Sequence, residues 1–327
     1  MRSRTFGSES FSVSEIGLGT WQLGADWGTV SESKAQEVLE TAVEYGINFF
    51  DTADVYGAGR SESLINKYLK PLSDNIIIAT KLGRFPEPGG LDNFSLEIFR
   101  RHTEASLNRL GLDCLELTQL HCIPTELMER GEVFDWLRIL QKEGKIKRFG
   151  ASVESMDEAL ICLEQEGIFS LQIIFNVFRQ KPIEALFEKA KEKKIALIIR
   201  LPLASGLLSG KISNDRIFPE NDHRNFNRDG QCFNVGETFS GLPFEKGVEL
   251  SDDLKPLVPD EMSMAQMALR WILDFDAATV VIPGGKSSQQ VIENSLVSDI
   301  TNLTENLHKK LSLYYKNEVK GYIRGKY

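Results

Sequence analysis

The 327-residue chain is 42% hydrophobic and 26% charged, the composition of a soluble globular protein long enough to bury a core without disulfides or a structural metal. Its formal net charge of −9 argues against a nucleic-acid-binding face or a polybasic membrane patch, because both need clustered cations. Met1-Arg2-Ser3-Arg4-Thr5-Phe6 lacks the apolar run of a signal peptide, and no stretch is long and apolar enough to span a bilayer. Cys114, Cys122, Cys162 and Cys232 form no CxxC pair, so a cytoplasmic chain with reduced thiols and no metal site is the expectation.

The opening dozen or so residues alternate polar and apolar around Gly7-Ser8, the pattern of a short hairpin. Beyond them, short apolar runs rich in β-branched residues alternate with longer amphipathic stretches. The first run covers residues 15–20, and a helical pattern over 34–45, stopped by Gly46, leads to the second at 48–53. The third run is 76–81. A helix over 95–110 closed by Gly111 precedes the fourth run at 114–120, and one over 133–142 ended by Gly144 precedes the fifth at 147–153. Helical spacing over 156–166 and 184–193 flanks the sixth run at 171–176, and the seventh is 195–201. A long connection, 202–262, reads as a lid or binding loop before the eighth run at 279–283. A further helix over 304–320 is expected outside the main fold.

Eight strands with intervening helices predict an α/β fold: a (β/α)8 TIM barrel with an N-terminal hairpin, a long loop after strand 7 and an extra C-terminal helix. Alternation alone also admits an open doubly wound sheet. With no composition shift and no internal repeat, residues 1–327 are expected to form a single domain.

Barrel chemistry gathers where strands end. The second run ends in Phe49-Phe50-Asp51-Thr52-Ala53-Asp54-Val55-Tyr56-Gly57, the third in Ile78-Ala79-Thr80-Lys81 and the fourth in Thr118-Gln119-Leu120-His121. A carboxylate, a phenol, an amine and an imidazole therefore converge from consecutive strands. A phenol with pKa about 10 is a poor acid near neutrality, and a neighbouring ammonium is expected to lower that value while a carboxylate holds the ammonium in place. Imidazole can position a carbonyl, so the set suits protonation of a carbonyl oxygen while hydride reaches carbon. Each residue has a plain alternative: Asp51 a loop cap, Lys81 a surface charge, His121 a satisfied core histidine, Tyr56 packing. Their shared order at successive strand ends favours the functional reading. Cys122 reads as a small residue packing at a strand end.

Together with Gly17-Leu18-Gly19-Thr20-Trp21, Ser61-Glu62, Gln119-Leu120-His121 and Gly144-Lys145-Ile146, these motifs resemble an aldo-keto reductase over nearly the full length. The resemblance implies an NADPH-dependent carbonyl reductase with Tyr56 as general acid, Asp51 and Lys81 tuning it, and His121 orienting the carbonyl. It also implies NADPH/NADP+ extended across the barrel mouth. Gly17-Leu18-Gly19-Thr20-Trp21-Gln22 lacks the third glycine of a dinucleotide-fold fingerprint, consistent with that placement. Pro202, Leu203, Ser205, Gly206, Leu207 and Lys211 resemble the pyrophosphate loop. Gly284, Gly285 and Lys286 resemble the 2′-phosphate loop, with Gln290 and Asn294 toward the adenine. Ser152 and Gln172 match the carboxamide-holding residues, Asn176 ends the same strand, and Gly19, Thr20 and Trp21 complete the cofactor side, Trp21 also lining the substrate pocket. Lys286 is the reason to favour NADPH over NADH.

Two positions depart from the family pattern. Val153 stands where Asn is common, and Arg200 where an aromatic ring commonly stacks on the nicotinamide. Arg200 either lies beside that ring and disfavours its oxidised form, or salt-bridges an acidic residue of the long loop. A second reading of the whole chain is an NADPH-binding redox sensor or regulatory subunit with slow turnover. A metal-dependent hydrolase lacks support, since the first strand carries no His-x-His. The expected partner is a small-molecule carbonyl, with no nucleic acid and no membrane, and the oligomeric state is open.

Overall fold

The computed structural model describes residues 1–8, 11–24, 27–69, 72 and 75–327. Strands β1 (Ser3–Thr5) and β2 (Ser12–Ser14) pair antiparallel with Arg4 opposite Val13, and residues 9 and 10 of the expected hairpin lie outside the described residues. Eight parallel strands follow, each beside its sequence neighbour: β3 (Leu18–Gly19), β4 (Phe49–Asp51), β5 (Ile77–Leu82), β6 (Leu115–His121), β7 (Ile146–Ser152), β8 (Ile168–Ile174), β9 (Ala196–Arg200) and β10 (Ala278–Val281). Gly17 N–H donates to Val281 O at 2.8 Å and Val281 N–H to Glu15 O at 2.9 Å, which joins the last strand to the first. That closure makes the sheet a (β/α)8 barrel and excludes the open alternative.

The helices start and stop on local signals. Ser95 caps Leu96–Leu110 by accepting from Ile98 N–H, and Gly111 ends that helix at φ 64. Its buried positions, Phe99, Thr103, Ser106 and Leu110, recur at helical spacing and face the sheet. Ser155 and Glu158 form a reciprocal capping box at the start of Met156–Leu163.

Side-chain alternation along the strands sets up the site. Phe49, Ala79, Leu117, Ile198 and Val280 fill the lower barrel with Phe6, Val13 and Phe169. The β1–β2 hairpin closes this end, with the Phe6 ring 5.4 Å from Phe49 and 5.8 Å from Phe169. Moving two residues along each strand keeps the same face, so Phe49 leads to Asp51, Ala79 to Lys81, Leu117 to Gln119 and His121, and Ile198 to Arg200. An apolar floor thus carries a polar mouth.

The expected lid over 202–262 is more ordered than a loop. It holds short helical turns at Ala204–Ser209, His223–Phe226, Val235–Glu237 and Phe239–Gly241, then an 11-residue helix, Phe244–Leu254. That helix follows Pro243 and buries Phe244, Val248, Ser251 and Leu254 on one face. The helix expected over 184–193 breaks at Leu186, where adjacent Leu186 and Phe187 are both buried. Helix Glu305–Tyr314 is the extra C-terminal helix and runs on through a wider turn at Tyr315–Val319. Among the described residues no helix is long and apolar enough to cross a membrane.

Candidate active site

Three successive strand ends bring four side chains to one point. Lys81 Nζ donates to Asp51 Oδ1 at 2.5 Å, to Thr52 O at 2.8 Å and to Tyr56 OH at 3.3 Å. The other Asp51 oxygen accepts from Gln172 Nε2 at 2.7 Å and Gln119 Nε2 at 3.2 Å. The His121 ring stands edge-on to Tyr56, centroids 5.8 Å apart. Gln119 holds Asp51 in place, a role its sequence position alone did not reveal.

Burial dominates the electrostatics here. It pushes Tyr56 up to about 12, with Asp51 adding to the rise and Lys81 opposing it. The ammonium does pull the phenol down, as its chemistry requires, but loss of water outweighs it, so the expected net lowering is not found. Burial works against the Lys81 charge, yet Asp51 and Tyr56 lift its pKa above the ordinary lysine value. Burial, then the cations Arg84 and Lys81, hold His121 well below the usual histidine value, so its ring is neutral near pH 7.

Tyr56, His121 and Asp51 open onto a groove of about 470 Å³ across the barrel mouth. Gly19, Thr20, Trp21, Ser152, Gln172, Arg200, Pro202, Leu203, Ser205, Gly206, Lys211, Gly284, Gly285, Lys286, Gln290 and Asn294 all line it. Leu207 does not: its side chain is buried against the core. Asn176 serves the fold, donating to Leu201 O and Ser240 Oγ, each at 2.8 Å. Trp21 stacks beside Tyr56 at 6.0 Å.

Residues 15–313 match the model of the Aldo/keto reductase family. The chain belongs to the aldo/keto reductases. Members of this family are oxidoreductases acting on carbonyl compounds with nicotinamide cofactors. This aldo/keto reductase is 28% identical to aldo-keto reductase yakc [NADP(+)] of Schizosaccharomyces pombe, over 89% of this chain and 85% of that one. It is 26% identical to the NADH-specific methylglyoxal reductase of Escherichia coli, over 90% of this chain and 92% of the relative. The solved holo form of an aldo-keto reductase from Bacillus halodurans matches it at 26% identity and TM-score 0.76, covering 99% of this chain and 98% of that one.

The groove of this aldo/keto reductase fits such a cofactor. Lys211, Arg216, Arg224 and Lys286 all line it, a concentration of cations suited to phosphate groups in an otherwise acidic protein. Arg224 is held by Asp222 at 2.9 and 2.7 Å and lies over the rings of Trp27 and Phe218. Burial and the nearby Arg224 lower the Lys286 pKa, and its ammonium donates to Trp27 O. At Gly284 a Cβ would overlap the Gln22 side-chain amide at 1.9 Å, so a larger residue there would displace that amide. Arg216, Arg224 and Trp27 were missed by sequence reasoning; the alternating Asp222-His223-Arg224 was the available signal.

Arg200 takes the second of its two expected roles. Its NH1 meets Glu237 Oε2 at 3.0 Å, and Glu237 comes from the long connection. NH2 reaches Val153 O at 3.1 Å and Cys122 Sγ at 3.3 Å, so Cys122, just past the end of β6, packs against Arg200.

Proposed function

We propose that this aldo/keto reductase reduces an aldehyde or ketone to an alcohol using NADPH, with Tyr56 as the general acid. The observation that carries this reading is the unbroken line from Asp51 through the Lys81 ammonium to the Tyr56 hydroxyl, beside His121 and open to the groove. Bound NADPH supplies a hydride. Ser152 and Gln172 would hold its carboxamide, and Lys211, Arg216, Arg224 and Lys286 would hold its phosphates. Relatives differ in cofactor by their printed names, so the choice of NADPH rests on this chain's own cations, Lys286 first among them.

Neutral His121 donates a hydrogen bond to the carbonyl oxygen and orients it toward Tyr56. Tyr56, protonated at rest, passes its proton to that oxygen as negative charge develops. The resulting phenolate lies 3.3 Å from the Lys81 ammonium, which stabilises it until a proton returns from solvent. Asp51 keeps the ammonium charged and aimed, and Gln119 and Gln172 keep Asp51 aimed.

The test is oxidation of NADPH and of NADH across a panel of aldehydes and ketones by wild type and Tyr56→Phe. Turnover should fall by roughly a thousandfold in the variant while the cofactor dissociation constant stays within about twofold. Activity that survives the change removes Tyr56 from its role. Tight NADPH binding with no carbonyl turned over would favour the redox-sensing reading.

A further inference from the structure

Four charged groups beside the groove, Arg200 and Glu237 buried and Arg84 and Glu154 half-buried, have no part in the proton path. Glu237 Oε2 accepts from Arg200 NH1 at 3.0 Å and Glu237 Oε1 from Arg84 NH2 at 2.9 Å. Arg84 NH2 also lies 3.0 Å from Glu154 Oε1, and Asn234 Nδ2 donates to the other Glu154 oxygen at 3.0 Å. The cluster ties segments after β5 and β7 and the end of β9 to the long connection. Arg200 faces the groove, its side chain only 10% exposed, and its buried Nε has no hydrogen-bond partner among the described residues. Glu237 also lines the groove and bonds both guanidinium ions of the cluster.

A nicotinamide ring is neutral when reduced and carries one positive charge when oxidised. A buried, unscreened guanidinium close by penalises only the oxidised form, and a carboxylate paired to it removes the penalty. We propose that Glu237 is a specificity-determining residue for cofactor oxidation state, cancelling the Arg200 charge so that one groove holds both the reduced and the oxidised ring. This rests on the reading of the groove as the nicotinamide site.

The other charges facing the cluster set the conditions. Arg84 and Arg200 stay protonated, and against the effect of burial they keep Glu237 ionised. Burial pushes Cys122 up to about 11, so it is a neutral thiol. Burial brings Arg179 down to about 10, still a cation, and its NH2 donates to Glu154 O. His121 is neutral, and Lys81 is paired with Asp51. Burial and the Glu237 charge raise Glu154 to about 7. Removing Glu237 near neutrality would therefore let Glu154 ionise and compensate. At about pH 8.5 Glu154 is ionised in both forms, and the full charge change is exposed.

The experiment measures dissociation constants of NADPH and NADP+ at pH about 8.5 for wild type, Glu237→Gln, Arg200→Gln and the double variant. The ratio Kd(NADP+)/Kd(NADPH) should rise about tenfold or more in Glu237→Gln, fall in Arg200→Gln, and return toward wild type in the double variant. If Glu237→Gln does not fold, the fall in Arg200→Gln carries the test. Ratios unmoved in folded variants overturn the proposal while leaving the cofactor site standing. Failure of the wild type to bind either form overturns the cofactor reading and the proposal with it.

Discussion

At the scale of single residues, Asp54 shows what a buried carboxyl group costs. It is fully buried, and the Val55 backbone amide offsets only part of its loss of water. Burial, then the Glu62 carboxylate, pushes its pKa up to about 8. The folded chain therefore holds this proton more tightly than the unfolded chain, whose value is near 3.8. The stability this contributes is complete below pH about 4 and is lost as pH rises toward about 8. Asp54→Asn keeps the shape and removes the titration. Its melting temperature relative to wild type should climb across that window, as followed by calorimetry at a series of pH values; a constant offset would contradict the assignment. Asp51, Lys81 and His121 were legible because each stands at a strand end and consecutive strands are neighbours, and Tyr56 because it follows closely after β4. Arg84, Glu154 and Glu237 were not, because no local pattern shows which loop charges the fold brings together.

At the scale of elements, the barrel wall depends on contacts that tolerate no added atom. A Cβ at Gly150 of β7 would lie 2.6 Å from the Ser170 carbonyl oxygen of β8. That oxygen belongs to backbone, so the strands must part to admit a methyl group. Gly150→Ala is predicted to cost about 1–3 kcal/mol in urea unfolding. Gly321→Ala, where nothing lies within 4 Å, should stay within about 0.5 kcal/mol of wild type. All eight strands were visible as apolar runs, with ends shifted by a few residues. The helix Phe244–Leu254 was missed although its apolar spacing is regular, because the surrounding turns hid where it began.

At the scale of the molecule, the barrel separates stability from chemistry. Phe6 is 1% exposed and packs on Phe49 and Phe169 at the hairpin end, away from the mouth. Phe6→Ala is predicted to lower unfolding free energy by about 3–5 kcal/mol and to leave kcat of the folded protein unchanged, as checked by urea titration beside a turnover assay.

Periodicity, caps and the two-residue alternation along strands are local properties, and from them the chain's residues alone specify the barrel's strands, their inward faces and the four groups at its mouth. Ring closure between Glu15 and Val281 is a contact across most of the chain, which only the folded barrel decides. The same holds for Arg200 meeting Glu237 across 37 positions and Arg84 meeting it across 153. Partners in such pairs are chosen by the paths of loops through space, and those paths follow from how the whole barrel packs.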